Sequence, residues 1–372
     1  MNKIPVYQPS IGSKEKENVL DCLDSSWISS KGKYIGLFEN EFAKYIGSKY
    51  AATVSNGTVA LHLALLAIGI KTGDEVIVPT LTYVASVNAI KYIGAKPVFI
   101  DSLRSTWQLD PEDLERKITS KTKAIMVVHI YGMACDMDKI MSIARAYKLK
   151  VVEDCAEAFG TKYKNKYVGT FGDIAAFSFF GNKTITTGEG GMVVSNSKKI
   201  IDLAIRIKGQ GLAENTEYWH DIIGYNYRMT NICAAIGLAQ LSRAQSFIDR
   251  KRKLAELYKE YLADLPIELL DEPKDVYGTF WMISLIFNNS AIRTKVRQVL
   301  RENNVETRPV FYPINTLPMY EDGIVFGNAT YLSQRGINLP SYPDLKDDQV
   351  KSICNIIRGC FNEANHTENR LK

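Results

Sequence analysis

Histidine is scarce in this chain, four in 372 residues. None of the four falls in an HExxH pair or a comparable spacing, so the sequence offers no catalytic zinc motif. The six cysteines, at 22, 135, 155, 233, 354 and 360, are scattered with no CxxC. That pattern predicts reduced, mostly buried thiols in a cytoplasmic protein rather than a disulfide framework. No apolar run approaches the ~18 residues of a membrane span; the best, Leu61 to Ile70, is interrupted by His62. The opening segment MNKIPVYQPSIGSKEKE lacks the apolar core and small-residue cleavage site of a secretory signal. No GxGxxG follows a strand pattern, which argues against dinucleotide binding. The 46 Lys and Arg against 41 Asp and Glu leave a net charge of +5. An excess this small does not predict nucleic-acid binding, although it favours a phosphate-bearing ligand. Internal repeats and low-complexity stretches are absent too, apart from a polar tail after Glu363.

What is present is ordinary globular composition, 46% hydrophobic and 23% charged. A chain this long buries roughly 75% of its unfolded surface and needs no staple to fold. EVIVP (75–79), KPVFID (96–101), KAIMVVH (123–129) and KVVED (150–154) read as strands apolar on both faces, as in a buried parallel sheet. Helical spacing lies between them at 57–69, 83–94 and 136–148, which is the pattern of an α/β domain. AAFSFF (175–180) and GGMVVSN (190–196) add two strands, read as a hairpin. Residues 229–262 carry one long helical pattern, punctuated afterwards by Pro266 and Pro273. FWMISLIF (280–287) and ETRPVF (306–311) read as strands and 346–362 as a helix. We therefore expect a large α/β domain over 1–262, including a linking helix, and a smaller α+β domain over 263–372.

Ligands of open parallel sheets bind beyond the carboxyl ends of the strands, and several such ends carry unusual residues. In SNGTVALHLA (55–64), the N–H groups opening a helix at Gly57 and the Thr58 hydroxyl suit a phosphate, although simple capping also explains Ser, Asn and Thr there. Asp154 ends a strand, with Glu157 close behind. It could hold a cation, cap a helix, or pair with a protonated ring nitrogen. In FSFFGNKTITTGEGGM (177–192), Lys183 follows Ser178 by five residues in a Gly-flanked loop. A partly desolvated lysine there can lose its proton and form a Schiff base. YNYRMTN (225–231) interleaves aromatics with the donors Asn226 and Arg228, and Tyr83 could stack on a flat ring or pack in the core. A phosphate cup, a carboxylate, a stacking aromatic and a loop lysine together match the needs of pyridoxal 5'-phosphate.

SNGTVALHLAL, PTLTYVASVNAI, EDCAEAFG, FSFFGNKTITTGEGGMV and GYNYRMTNICAAIGLAQL resemble the DegT/DnrJ/EryC1/StrS family of sugar aminotransferases, over nearly the whole chain. The resemblance implies an aspartate-aminotransferase-type fold (PLP fold type I), with a mixed, mainly parallel sheet in the large domain and a smaller α+β C-terminal domain. It implies that Lys183 bonds the pyridoxal 5'-phosphate carbonyl and Asp154 pairs with its ring nitrogen. Tyr83 would lie on the ring face, Glu157 near the ring hydroxyl, and Gly57, Thr58 and Ser178 at the phosphate. Asn226 would reach the cofactor phosphate of a second subunit, implying a homodimer with shared sites. Segments 27–35 and 308–313 would line the sugar side, through Ser29, Lys31, Arg308 and Tyr312, with Arg228 also facing substrate. Where the family commonly has a histidine, this chain has Asn315; an amide still hydrogen-bonds but is no proton donor of tunable pKa.

The implied reaction moves an amino group from L-glutamate to C4 of a GDP-linked 4-keto-6-deoxymannose, for O-antigen or other lipopolysaccharide synthesis. The same chemistry on a dTDP- or UDP-linked 4-keto sugar, or on an 8-keto octulosonate, is the alternative, and a non-catalytic cofactor-binding regulator is another. Family dehydratases carry histidine at the lysine position, so Lys183 argues against that reading.

Overall fold

The computed structural model describes residues 3–368. Two N-terminal helices, α1 (Ser13–Asp24) and α2 (Lys33–Ile46), precede an alternating run. That run is β1 (Tyr50–Val54), α3 (Gly57–Ala67), β2 (Glu75–Pro79), α4 (Val84–Tyr92), β3 (Lys96–Ile100), α5 (Pro111–Arg116), β4 (Thr122–Val128), α6 (Met137–Ala146) and β5 (Lys150–Asp154). Two short strands, β6 (Lys162–Tyr163) and β7 (Lys166–Tyr167), lead to β8 (Ile174–Ser178), β9 (Gly191–Ser195) and α7 (Lys198–Lys208).

A seven-stranded sheet has the order β1-β9-β8-β5-β4-β2-β3. β3, β2, β4, β5 and β8 run parallel, while β9 is antiparallel to both β8 and β1. One reversed strand therefore leaves the carboxyl ends of six strands on a single edge. β2 and most of β5 are buried along their length, as the continuous apolar runs predict. α3 is apolar on nearly every face and lies buried, so it serves as an internal pillar rather than an amphipathic cover. β8 and β9 pair as expected from their spacing, Ala175 opposite Val194 through Ser178 opposite Gly191.

The long helical pattern at 229–262 is two helices, not one: α8 (Asn231–Ser242) and α9 (Ala244–Leu262). Arg243 breaks the run at φ −106°, ψ 1°. No proline or glycine marks the break. Its guanidinium instead reaches across to Glu15 (3.1 Å) and the Ser10 carbonyl (3.5 Å), a distant attraction that periodicity cannot register.

The remaining strands are β10 (Ile267–Leu269), β11 (Val276–Tyr277), β12 (Ile283–Phe287), β13 (Arg308–Pro309) and β14 (Gly336–Leu339), with helices α10 (Ser290–Glu302), α11 (Gly327–Arg335) and α12 (Asp347–Glu368) among them. A four-stranded antiparallel sheet has the order β10-β12-β14-β13. Two expected strands are shorter than their apolar runs. Phe280 sits at φ 47°, turning the chain out of extended geometry ahead of β12, and ETRPVF contributes only Arg308 and Pro309. α12 extends through much of the expected polar tail to Glu368; residues 369–372, like 1–2, lie outside the described residues. The N-terminal strand-like segment joins the later part of the chain: the Ile4 N–H donates to the Asn304 carbonyl (2.9 Å), and the Glu306 N–H to the Ile4 carbonyl (2.9 Å). No helix among the described residues is long and apolar enough to cross a membrane.

Candidate active site

A cavity of about 480 Å³ opens at the carboxyl edge of the large sheet. Gly57, Thr58, Tyr83, Asp154, Glu157, Ser178 and Lys183, seven residues singled out in the sequence, all line it. They come together because β1, β2, β5 and β8 all end at this edge of the one sheet.

The cavity floor at the start of α3 is an anion seat. The Asn56 side chain caps the helix by accepting the Val59 N–H (3.0 Å), and the Ala60 N–H returns to the Asn56 carbonyl (3.1 Å). The N–H groups of Gly57 and Thr58 have no partner among the described residues. Free donors at the positive end of a helix dipole favour an anion. A side chain at Gly57 would place its Cβ 2.6 Å from Ser178 Cβ, so glycine there lets the helix end and the Ser178 hydroxyl converge.

Asp154 is buried at the end of β5, where Ser86 Oγ donates to Oδ2 (2.7 Å) and the Ala156 N–H to Oδ1 (3.0 Å). Burial pushes its carboxyl above the ordinary range, opposed by the Ala156 N–H, Ser86 and the charge of Lys183. A desolvated carboxylate held in place by two donors is suited to a cation it touches directly. Ser86 was not anticipated, although it lies one helical turn after Tyr83. Behind Asp154, Glu153 is wholly buried and takes N–H bonds from Gly169 (2.7 Å), Phe171 (2.8 Å) and Gly172 (2.7 Å). Burial would raise Glu153, but His129 and these amides hold its carboxyl below the usual value. Its neighbour His129 accepts the Cys135 N–H at Nδ1 (3.1 Å), so Nε2 carries the proton toward Glu153 (3.1 Å). His129, Glu153 and Cys155 are the one group among the described residues whose donor atoms converge as metal ligands would. With both imidazole nitrogens and both Glu153 oxygens engaged, that group is a closed structural network.

Lys183 follows Ser178 in the loop between β8 and β9. Its Nζ stands 3.9 Å from Glu157 Oε1, with side-chain exposures of 13% and 5%. Burial lowers the lysine pKa, against the pull of Glu157 and Asp154. Burial also lifts Glu157 to about 7, against Lys183 and the Tyr131 N–H (2.9 Å). The two shifts have one cause: desolvation makes each group resist its charge, so the amine gives up its proton more easily than an exposed lysine does.

The far wall combines Phe311, from the 308–313 segment expected to line the site, with Trp281 and Tyr131, which the sequence did not nominate. Trp281 and Phe311 line the cavity, and Tyr131 stacks between them, nearly parallel to each at 6.1 and 5.3 Å. Phe311 meets Tyr83 at 5.8 Å, leaving Tyr83 57% exposed at the mouth. The Tyr7 hydroxyl donates to the Lys183 carbonyl.

Other expected residues are not on this cavity. Ser29, Lys31, Asn226, Arg228, Arg308 and Tyr312 are exposed elsewhere on the chain. Asn226 Oδ1 accepts from Arg228 (3.1 Å), and Arg308 pairs with Glu306 (2.6 Å). Asn315 departs most from its expected role. It is 2% exposed and spends its amide internally, on Asp322 (2.9 Å) and the Ile324 carbonyl (2.7 Å), while its Oδ1 accepts from Thr80 (2.7 Å). It braces the loop after it and presents nothing to a substrate.

Residues 9–358 match the family model described as the DegT/DnrJ/EryC1/StrS aminotransferase family. The chain belongs to that family. Among relatives of this aminotransferase, GDP-perosamine synthase of Escherichia coli O157:H7 is 60% identical over 98% of the chain and 100% of its own length. GDP-perosamine synthase of Vibrio cholerae is 53% identical, over 96% and 99%. Among solved structures, the PLP form of the putative sugar aminotransferase Spr1654 from Streptococcus pneumoniae superposes with a TM-score of 0.91, at 28% identity over 97% of this chain and 99% of that one. The architecture is thus that of the PLP-dependent aminotransferases, as the resemblance implied.

Proposed function

We propose that this enzyme is a PLP-dependent sugar aminotransferase that moves an amino group from L-glutamate to C4 of GDP-4-keto-6-deoxymannose, giving GDP-perosamine for O-antigen synthesis. The observation that carries the reading is the convergence of a buried amine, a buried carboxylate and free helix-end amides on one cavity. That donor set suits an aldehyde, a protonated ring nitrogen and a phosphate together, the three handles of pyridoxal 5'-phosphate. The near full-length likeness to two GDP-perosamine synthases supports the choice of sugar.

Lys183 would bond the cofactor carbonyl, Asp154 its ring nitrogen, and Gly57, Thr58 and Ser178 its phosphate, with Tyr83 beside the ring and Glu157 near its hydroxyl. When bound, the cofactor supplies an electron sink for the carbanion left by Cα–H cleavage. The chain's part is to hold groups and move protons. Asp154, fixed by Ser86 and Ala156, keeps a positive charge opposite it. Lys183 Nζ, displaced from the cofactor carbonyl carbon by the donor's amine and made less basic by burial, would take a proton from the donor's Cα and deliver it to that carbon, two atoms away across the donor nitrogen. The stacked wall of Trp281, Tyr131 and Phe311 excludes water from that transfer.

The working unit in this reading is a homodimer in the cytoplasm. Asn226 lies off its own chain's cavity, in a segment with Tyr218 91%, Trp219 62% and Ile223 87% exposed; apolar surface of that kind suits a partner subunit. Free thiols at Cys22, Cys135, Cys155, Cys233 and Cys354 suit a reducing compartment. Ser29, Lys31, Arg228, Arg308 and Tyr312 would meet the sugar.

The test is kcat/KM with glutamate for GDP-4-keto-6-deoxymannose against its dTDP- and UDP-linked counterparts and an 8-keto octulosonate. The GDP sugar should be used most efficiently; a competitor used better overturns the assignment.

A further inference from the structure

Lys183 has a neighbour that the reaction as derived so far uses only as a wall. Its Nζ lies 3.9 Å from the centroid of the Trp281 ring, on the ring's negative face, where an ammonium is attracted by the aromatic quadrupole. The same nitrogen is 3.9 Å from Glu157 Oε1, so the amine is lodged between an aromatic face and a carboxylate.

The position of Trp281 is heavily determined. Phe280 takes a left-handed backbone, φ 47°, which is costly for an aromatic residue and persists only where the surroundings enforce it. That turn lifts Trp281 out of line with β12. The indole N–H then donates to the Asn182 carbonyl (2.7 Å), the residue immediately before Lys183. Gly132 packs so closely that a Cβ on it would sit 2.7 Å from the Trp281 backbone nitrogen. The Trp281 carbonyl accepts from the fully buried Lys251 Nζ (3.0 Å) and from Ser341 Oγ (3.2 Å). Among the described residues Lys251 has no carboxylate within ion-pair distance; its remaining bond goes to the Ser341 carbonyl (2.6 Å). A buried, unpaired lysine is expensive, and this one is spent on anchoring the main chain of Trp281.

We propose that Trp281 is a positioning residue for Lys183, a rigid platform whose ring face holds the amine in the cavity beside Glu157 and favours its protonated form. The inference rests on the reading of Lys183 as the cofactor-bearing lysine. Trp281 opposes the effect of burial on the amine, so that Lys183 is poised between holding and releasing its proton.

Two preparations of the full chain test this. In the cofactor-loaded enzyme, borohydride reduction and peptide mapping must place the label on Lys183; a label on another lysine overturns the reading beneath the inference. In the cofactor-free enzyme, the pH midpoint of Lys183 reductive methylation, read by peptide mass, reports on the platform. Trp281→Leu keeps the site apolar but removes the ring, and its midpoint should fall by about half a unit to one and a half units. Trp281→Phe keeps a weaker face and should fall by less. Biosynthetic replacement of tryptophan by mono- and difluorotryptophan weakens the ring face without changing its shape, and should lower the midpoint stepwise even if Trp281→Leu does not fold. A wall with no electrostatic role would leave the midpoint unmoved through the fluorinated series. That result, or a midpoint that rises, overturns the proposal while leaving the Lys183 label intact.

Discussion

Glu157 and Lys183 face each other across 3.9 Å in a buried cavity, and each is held away from its charged state by the same desolvation. The consequence for stability has a definite sign. Glu157 titrates near 7 in the folded chain against 4.5 ordinarily, so between those values the folded state binds the extra proton and stability falls as pH rises. Glu157→Gln removes that titration while its amide oxygen can still accept the Tyr131 N–H. The cofactor-free variant should lose the decline in stability between about pH 4.5 and 7, gaining on wild type by about 1–3 kcal/mol at pH 8 relative to pH 4. Denaturant melts at the two pH values check this; parallel pH profiles for the two proteins would contradict it.

Asp154→Asn should retain cofactor and lose turnover. The amide oxygen can still accept the Ala156 N–H, and the amide nitrogen can donate to the Ser86 hydroxyl with that bond reversed, but the side chain carries no charge to keep the ring nitrogen protonated. Losing a charge-assisted bond costs roughly 1.5–3 kcal/mol of binding, and kcat should fall by more than that, about a hundredfold or beyond. Single-turnover kinetics at saturating cofactor measure it. Turnover within a few-fold of wild type would remove Asp154 from its assigned role.

Asn315→Ala should act on stability and leave sugar choice alone. It strips a buried side chain of three bonds and leaves the Ile324 carbonyl and the Thr80 hydroxyl without their partner, a loss of about 1–3 kcal/mol. Thermal melts should show the drop, while the ranking of keto-sugars by kcat/KM stays as in wild type. A reordered ranking would return Asn315 to the substrate side.

If sites are shared, inactive Lys183→Ala mixed with an inactive Asn226→Ala should regain activity, because a heterodimer can carry one intact site. Refolded mixtures should reach up to about a quarter of wild-type activity, half the dimers being mixed with one working site each. No recovery, with heterodimers demonstrated by mass, would place Asn226 outside the partner's site.

The amino-acid sequence by itself determined the large sheet's buried strands, because EVIVP and KVVED can bury both faces only between other layers. It also brought out the residues that converge on the cavity. Helix-opening glycine, strand-end aspartate and loop lysine are each local signals, and the ends of neighbouring parallel strands gather on one edge without further instruction. Tertiary structure alone decided the rest. Trp281 lies 99 residues from the Asn182 carbonyl it bonds, and Tyr7 is 176 from Lys183, separations across which no periodicity carries information. The break at Arg243 answers to Glu15, and the burial of Asn315 to Thr80. In each case the residue's own segment permits several fates. The choice among them is made by which distant group burial leaves needing a hydrogen bond, a countercharge or a packed surface.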